Sequence, residues 1–264
     1  MKTIQTAGKG GTGKSVLLAS LLTDHLLQQT KKRVLVVDAD PHQSLTQLLS
    51  LRYGFQKPIS LGELKRSHRS GLNSGVGLEN VRRDELAEML VGRALVRLPN
   101  ASLLVMGPNT LPGCQCVVNT LLDQALEALQ EQFDLVVIDN EAGIEHIGRH
   151  HQRAIDLLLL LTTPQNLDMD VAGRILEHAS QVGREIRHSI LVINKVRSGN
   201  GAGKKVDSLS RIDLVTTLPY SAGLEGNGRP DAYWHAAVWN VFNHVRAQLE
   251  NVNVNGLSDT RDHL

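Results

Sequence analysis

Apolar residues fall into two alternating rhythms along the chain. Short apolar or β-branched runs recur at Thr3–Thr6, Val34–Val37, Leu103–Met106, Phe133–Ile138, Leu157–Thr162 and Ile190–Ile193. Most are nearly continuous rather than alternating, as strands buried on both faces must be. Between them the spacing turns helical. Residues Ser15–Gln29 put Leu17, Leu18, Leu21, Leu22 and Leu26 on one face, and further helices are predicted at about Asn119–Glu131, Met169–Val182 and Ala232–Leu249. This alternation predicts an α/β fold, a mostly parallel sheet flanked by helices on both sides.

One domain over residues 1–250 accounts for the pattern. Residues 60–100 are rich in Arg, Gly and Ser, with only a weak helical rhythm over 83–90, and read as an insertion over one edge of the site. Gly199, Gly201, Gly203 and two lysines between Val196 and Ser208 predict a mobile loop. Residues 251–264 are polar and predict a flexible tail.

Composition narrows the function. Among 264 residues the formal net charge is +1, which provides no basic field for nucleic acid or acidic lipid. Aromatics are 3%, too few for base-stacking platforms. No apolar run approaches the ~20 residues of a membrane-spanning helix. Met1 leads straight into the first strand, which leaves no room for a signal peptide and predicts the cytoplasm.

The sharpest local signal is Gly8-Lys9-Gly10-Gly11-Thr12-Gly13-Lys14-Ser15 between a strand and a helix. Glycines let backbone N–H groups curl around phosphates, and the helix N-terminus adds its positive dipole. Lys14 is expected on the β/γ-phosphates and the Ser15 hydroxyl on Mg²⁺. Asp38 and Asp40 follow a buried strand at i and i+2 and can face one crevice. Asp139 ends another apolar strand, the usual place for a carboxylate in the Mg²⁺ shell.

Lys9 is an extra that the loop's own geometry does not require. The run Lys-Gly-Gly-Thr-Gly-Lys-Ser resembles the deviant phosphate loop of the MinD/ParA/nitrogenase iron protein superfamily. The resemblance implies an ATPase that dimerises on ATP, with Lys9 reaching the partner's nucleotide as an arginine finger does. It further implies nucleotide contacts along Gly8 to Val16, Asp38 in the magnesium shell and Asp40 positioning the attacking water. Asn194 would hydrogen-bond adenine, with Leu218-Pro219 lining the base pocket.

The two cysteines, Cys114 and Cys116, stand just before a predicted helix. In an extended segment their side chains point the same way, so one chain offers two thiolates and two chains offer four. Four sulfurs suit tetrahedral Zn²⁺ and also Ni²⁺. Together with Asp139-Asn-Glu141-Ala-Gly-Ile-Glu145-His146-Ile-Gly-Arg149, the Cys-x-Cys motif resembles the CooC family, ATPases that assist nickel insertion into carbon monoxide dehydrogenase. That resemblance implies a homodimeric metallochaperone with nickel or zinc at its seam and a client nickel enzyme. Val117, His150-His151 and Val16 depart from the family pattern, which leaves the client open. Glu141, Glu145 and His146 read as a switch segment sensing the γ-phosphate, or as a second metal relay. Two other readings compete: a ParA/MinD-type positioning ATPase without a metal, and an iron–sulfur scaffold.

Overall fold

The computed structural model describes residues 1–72, 91–107, 116–143, 154–197, 209, 211–226 and 230–255. In chain order the elements are β1 (Lys2–Gly8), α1 (Lys14–Ser20), a π-helical stretch (Leu21–Leu26), α2 (Leu27–Gln29), β2 (Val34–Asp38), α3 (Ser44–Tyr53) and α4 (Leu61–Leu72). There follow β3 (Val96–Leu98), β4 (Ala101–Val105), α5 (Cys116–Leu129), β5 (Leu135–Asp139), β6 (Ile155–Thr162), α6 (Asn166–Gln181), β7 (Ile186–Val196), β8 (Leu214–Pro219), α7 (Ala222–Gly226) and α8 (Ala232–Asn255).

Among the described residues eight strands form one sheet in the order β3-β4-β2-β5-β1-β6-β7-β8. All neighbours are parallel except β3, which closes one edge antiparallel to β4. The strands read as continuous apolar runs because both faces are covered; β2, β5 and β6 are buried at every position. One face carries Ile4, Val36, Val137, Leu159 and Val192 against Leu17 and Leu21, with Trp234, Val238 and Phe242 of α8 sealing it. The opposite face divides in two. Leu35, Val37, Val136 and Ile138 pack with Leu61, Leu64 and Leu126, while Leu158, Leu160 and Leu191 pack with Ile175 and Leu176 of α6. Each fully buried leucine contributes about 1.5–3 kcal/mol, so three such clusters hold the strand ends in fixed register.

The expected fold class is the one observed. β1 runs longer than Thr3–Thr6, and α6 starts at Asn166 rather than Met169. The helix expected over Ser15–Gln29 is interrupted by the π-helical stretch. α5 begins at Cys116, three residues before the expected Asn119, so the backbone at Cys116 is helical and not extended. Cys114 lies outside the described residues, as do 73–90, 198–208 and 256–264 of the stretches read above as insertion, loop and tail. Within 60–100, Leu61, Leu64, Val91 and Ala94 are buried in the core, and residues 61–72 form α4. No helix among the described residues is long and apolar enough to cross a membrane.

Candidate nucleotide site

Four strands deliver the site at their C-terminal ends: Gly8 from β1, Asp38 from β2, Asp139 from β5 and Asn194 from β7. This carboxyl edge of a parallel sheet is where such folds bind ligands. β1 feeds the glycine loop into α1, whose N-cap Gly13 supplies no side-chain cap, so the first-turn N–H groups stay free for an anion. Two glycines are obligatory here. A Cβ on Gly8, at φ +144°, would lie 2.3 Å from the Leu161 carbonyl oxygen, and one on Gly13, at φ +97°, would lie 2.4 Å from Asn194 Nδ2.

Lys14 is buried, and its Nζ donates to the carbonyls of Gly8 at 3.1 Å and Lys9 at 3.3 Å. Burial lowers its pKa, opposed by the carboxylates of Asp139, Asp40 and Glu141. The ammonium therefore stands inside the loop, held by weak backbone acceptors that phosphate oxygens can replace.

Asp38 and Asp139 are register partners on adjacent strands, and both are fully buried. Burial raises the Asp38 pKa to about 7, with Asp139 adding to the rise and Thr46 and the Asp40 N–H opposing it. Burial likewise pushes the Asp139 carboxyl up, against the Ser15 and Thr6 hydroxyls and the Lys14 ammonium. The two carboxylates are differently engaged. Asp38 Oδ2 accepts from the Thr46 N–H at 2.8 Å and its hydroxyl at 2.5 Å, and Oδ1 accepts from the Asp40 N–H at 3.2 Å. It thereby caps the open first turn of α3 from a distance. Asp139 Oδ1 accepts from Thr6 Oγ1 at 2.8 Å, but Oδ2 is buried with no hydrogen-bond partner of good geometry. A buried, uncompensated carboxylate oxygen beside the Ser15 hydroxyl fits a divalent cation such as Mg²⁺, and Asp139 with Ser15 would hold it.

Asp40 is half-buried, and its Oδ1 accepts from the His42 N–H at 2.9 Å. Lys9 Nζ lies 2.7 Å from Asp168 Oδ1 within the same chain. Burial alone would raise the Asp168 carboxyl, but hydrogen bonds from Lys9 and Thr163 hold it below the ordinary carboxylate range. Asn194 Nδ2 donates to the Thr12 carbonyl at 2.9 Å. Val16 is half-buried against the core, and Pro219 ends β8 opposite Val196. Beside them the Arg197 guanidinium lies 3.9 Å from the Tyr220 ring centroid.

Sequence reading missed Thr6, Thr46, Thr163 and Asp168, which hold Asp139, Asp38 and Lys9. Asp168 had a local signal, an acid at the start of a predicted helix. Thr6 had none, because Asp139 is 133 positions away, and Thr46 and Thr163 had none because threonines 8 and 5 positions from their carboxylates form no recognisable motif. Glu145 and His146 lie outside the described residues.

A glycine loop opening a helix, an internal lysine and strand-end carboxylates define a phosphate-loop ATPase, which binds and hydrolyses ATP. The chain belongs to the CobQ/CobB/MinD/ParA nucleotide binding domain family, whose model matches residues 4–226. It is 29% identical over 226 residues to an uncharacterised ATP-binding protein of Methanocaldococcus jannaschii, covering 83% of this chain and 84% of that one. It is 30% identical over 231 residues to the carbon monoxide dehydrogenase accessory protein CooC of Rhodospirillum rubrum, covering 84% and 85%. In fold it is similar to MinD in the MinC:MinD cell division protein complex of Aquifex aeolicus, with a TM-score of 0.64, 18% identity and 94% and 96% coverage.

Proposed function

We propose that this ATPase is a dimeric metallochaperone that carries Ni²⁺ or Zn²⁺ on Cys114 and Cys116 of two subunits. It would assist nickel insertion into carbon monoxide dehydrogenase or a related enzyme in the cytoplasm. The observation that carries this reading is the Cys-x-Cys pair in a chain 30% identical to CooC across 84% of its length.

The chemistry divides among the chain's own residues. Loop N–H groups and Lys14 hold the β- and γ-phosphates, and Lys9 of the opposite subunit adds positive charge as the transferred phosphoryl group loses its leaving group. Asp40 orients the attacking water. Ser15, Asp38 and Asp139 would hold Mg²⁺, directly or through water, and the cation would neutralise phosphate charge when bound. Adenine lies toward Asn194 and Pro219. ATP draws two subunits together and completes the four-sulfur site; hydrolysis loosens the dimer and frees the metal for the client.

The test is metal content and oligomeric mass, measured together on reduced protein supplied with Ni²⁺ or Zn²⁺, with ADP or a non-hydrolysable ATP analogue. One metal per dimer, lost when Cys114→Ser and Cys116→Ser are combined, is expected. Equal metal affinity with either nucleotide would refute the coupling.

A second reading, a MinD/ParA-type positioning ATPase, is favoured by the likeness to MinD in its complex with MinC. It predicts ATP-driven dimers that bind no metal and recruit a protein partner instead.

A further inference from the structure

We infer that Asn194 is a positioning residue of the ATPase, bracing the phosphate loop from behind so that the Gly13 N–H is aimed at the phosphates. Asn194 is 5% exposed near the end of β7. Its Nδ2 donates to the Thr12 carbonyl at 2.9 Å, and its Oδ1 accepts from the Lys195 N–H at 2.8 Å. Both ends of the amide are thus used within the protein.

Planarity of the peptide gives this bond its consequence. In a trans peptide the C=O and the following N–H point in opposite directions. Drawing the Thr12 C=O toward β7 turns the Gly13 N–H away from β7 and into the loop. Without that bond the Thr12–Gly13 peptide is free to rotate, because Gly13 has no side chain to restrict it. The contact is close: a Cβ at Gly13 would lie 2.4 Å from Nδ2, so glycine is required here partly to admit the brace.

The strand departs from regularity where this reach is made. Register between β7 and β8 shifts between Ile193 and Val196, and Lys195 adopts φ +61°, an unusual conformation for a residue with a side chain. The bond from the Lys195 N–H to Asn194 Oδ1 ties that strained residue to the brace. β6 forms the other wall, with Leu161 paired to Gly8. The loop is therefore fitted between the ends of two strands, with a backbone carbonyl touching its start and an amide holding its turn.

This role differs from the adenine contact and goes beyond the metallochaperone reading, which it does not need. Inorganic tripolyphosphate separates the two roles because it carries phosphates and no base. Competition against a fluorescent ATP analogue measures the affinity of the full-length protein for ATP, GTP and tripolyphosphate with Mg²⁺, in the wild type and in Asn194→Ala. Affinity for all three is expected to fall by a similar factor, on the order of tenfold, the loss of one well-formed hydrogen bond; kcat falls as well. Asn194→Ser, too short to reach Thr12, is measured beside it in case the alanine variant does not fold. Loss for ATP with tripolyphosphate unchanged would assign Asn194 to the base and overturn the inference. Unchanged affinities with only a lowered melting temperature would reduce it to a packing residue.

Discussion

Lys9 and Asp168 form an ion pair of 2.7 Å within one chain, linking the glycine loop to the first turn of α6. The lysine is 38% exposed and the carboxylate 8%, and the other Asp168 oxygen accepts from Thr163 Oγ1 at 2.6 Å. On the proposed dimer mechanism Lys9 must leave this partner to cross to the opposite nucleotide. A half-exposed pair contributes about 1 kcal/mol or less, and two are broken per dimer. Asp168→Asn is therefore expected to lower the protein concentration for ATP-driven dimerisation severalfold, as read by light scattering. Lys9→Ala should cut hydrolysis and dimerisation together, and a fully active monomeric Lys9→Ala protein would remove the trans role.

Asp38 makes stability depend on pH. Its folded value of about 7 lies above that of an unfolded aspartate, so the folded state binds the extra proton. The stabilisation from this group is fully present below about pH 4 and is lost as pH rises toward 7, at a slope of at most ~1.4 kcal/mol per pH unit. Urea titrations without nucleotide should show this loss, and Asp38→Asn should flatten it. Magnesium affinity should rise over the same interval, because the cation competes with the proton.

Thr46 satisfies Asp38 through both its N–H and its hydroxyl. Thr46→Val removes the hydroxyl at nearly constant volume and leaves a buried carboxylate with one donor fewer. A loss of about 1–3 kcal/mol in stability is expected, with the Asp38 titration displaced further upward. An unaltered denaturation midpoint would show that the hydroxyl is not the donor that matters.

At Gly8 the obstacle is backbone, which cannot rotate away as a side chain can. Gly8→Ala places a methyl group 2.3 Å from the Leu161 carbonyl at a φ that disfavours any side chain. A cost of about 3 kcal/mol or more is expected, together with loss of the melting-temperature increase that Mg-ATP gives. Retention of that increase would mean that the loop relaxes more freely than its pairing with β6 suggests.

Much of this site could be read along the chain because its main parts are local. The glycine loop, Lys14, Ser15, Asp38 and Asp139 announce themselves by their position at strand ends, and the continuous apolar runs give the parallel sheet. The supporting residues do not announce themselves. α3 starts at Ser44 with no side-chain cap of its own and is capped by Asp38, so its start has no local signature. β8 alternates half-buried Leu214 and Thr216 with exposed Val215 and Thr217, the pattern of an edge strand that resembles a loop in sequence. Lys9 could be singled out, but not its bond to Asp168, 159 positions away.

The phosphate loop is synthesised well before the strands that brace it. Asn194 follows Thr12 by 182 positions, and Leu161 of β6 lies about 150 positions after Gly8, so a growing chain displays the glycine motif long before these strands can hold its shape. ATP thus cannot guide the earliest folding of this protein. Stalled ribosome-bound chains should gain nucleotide-dependent protease resistance only after β7 has emerged, and their passage through the cell before then falls to whatever else shields an unfinished sheet.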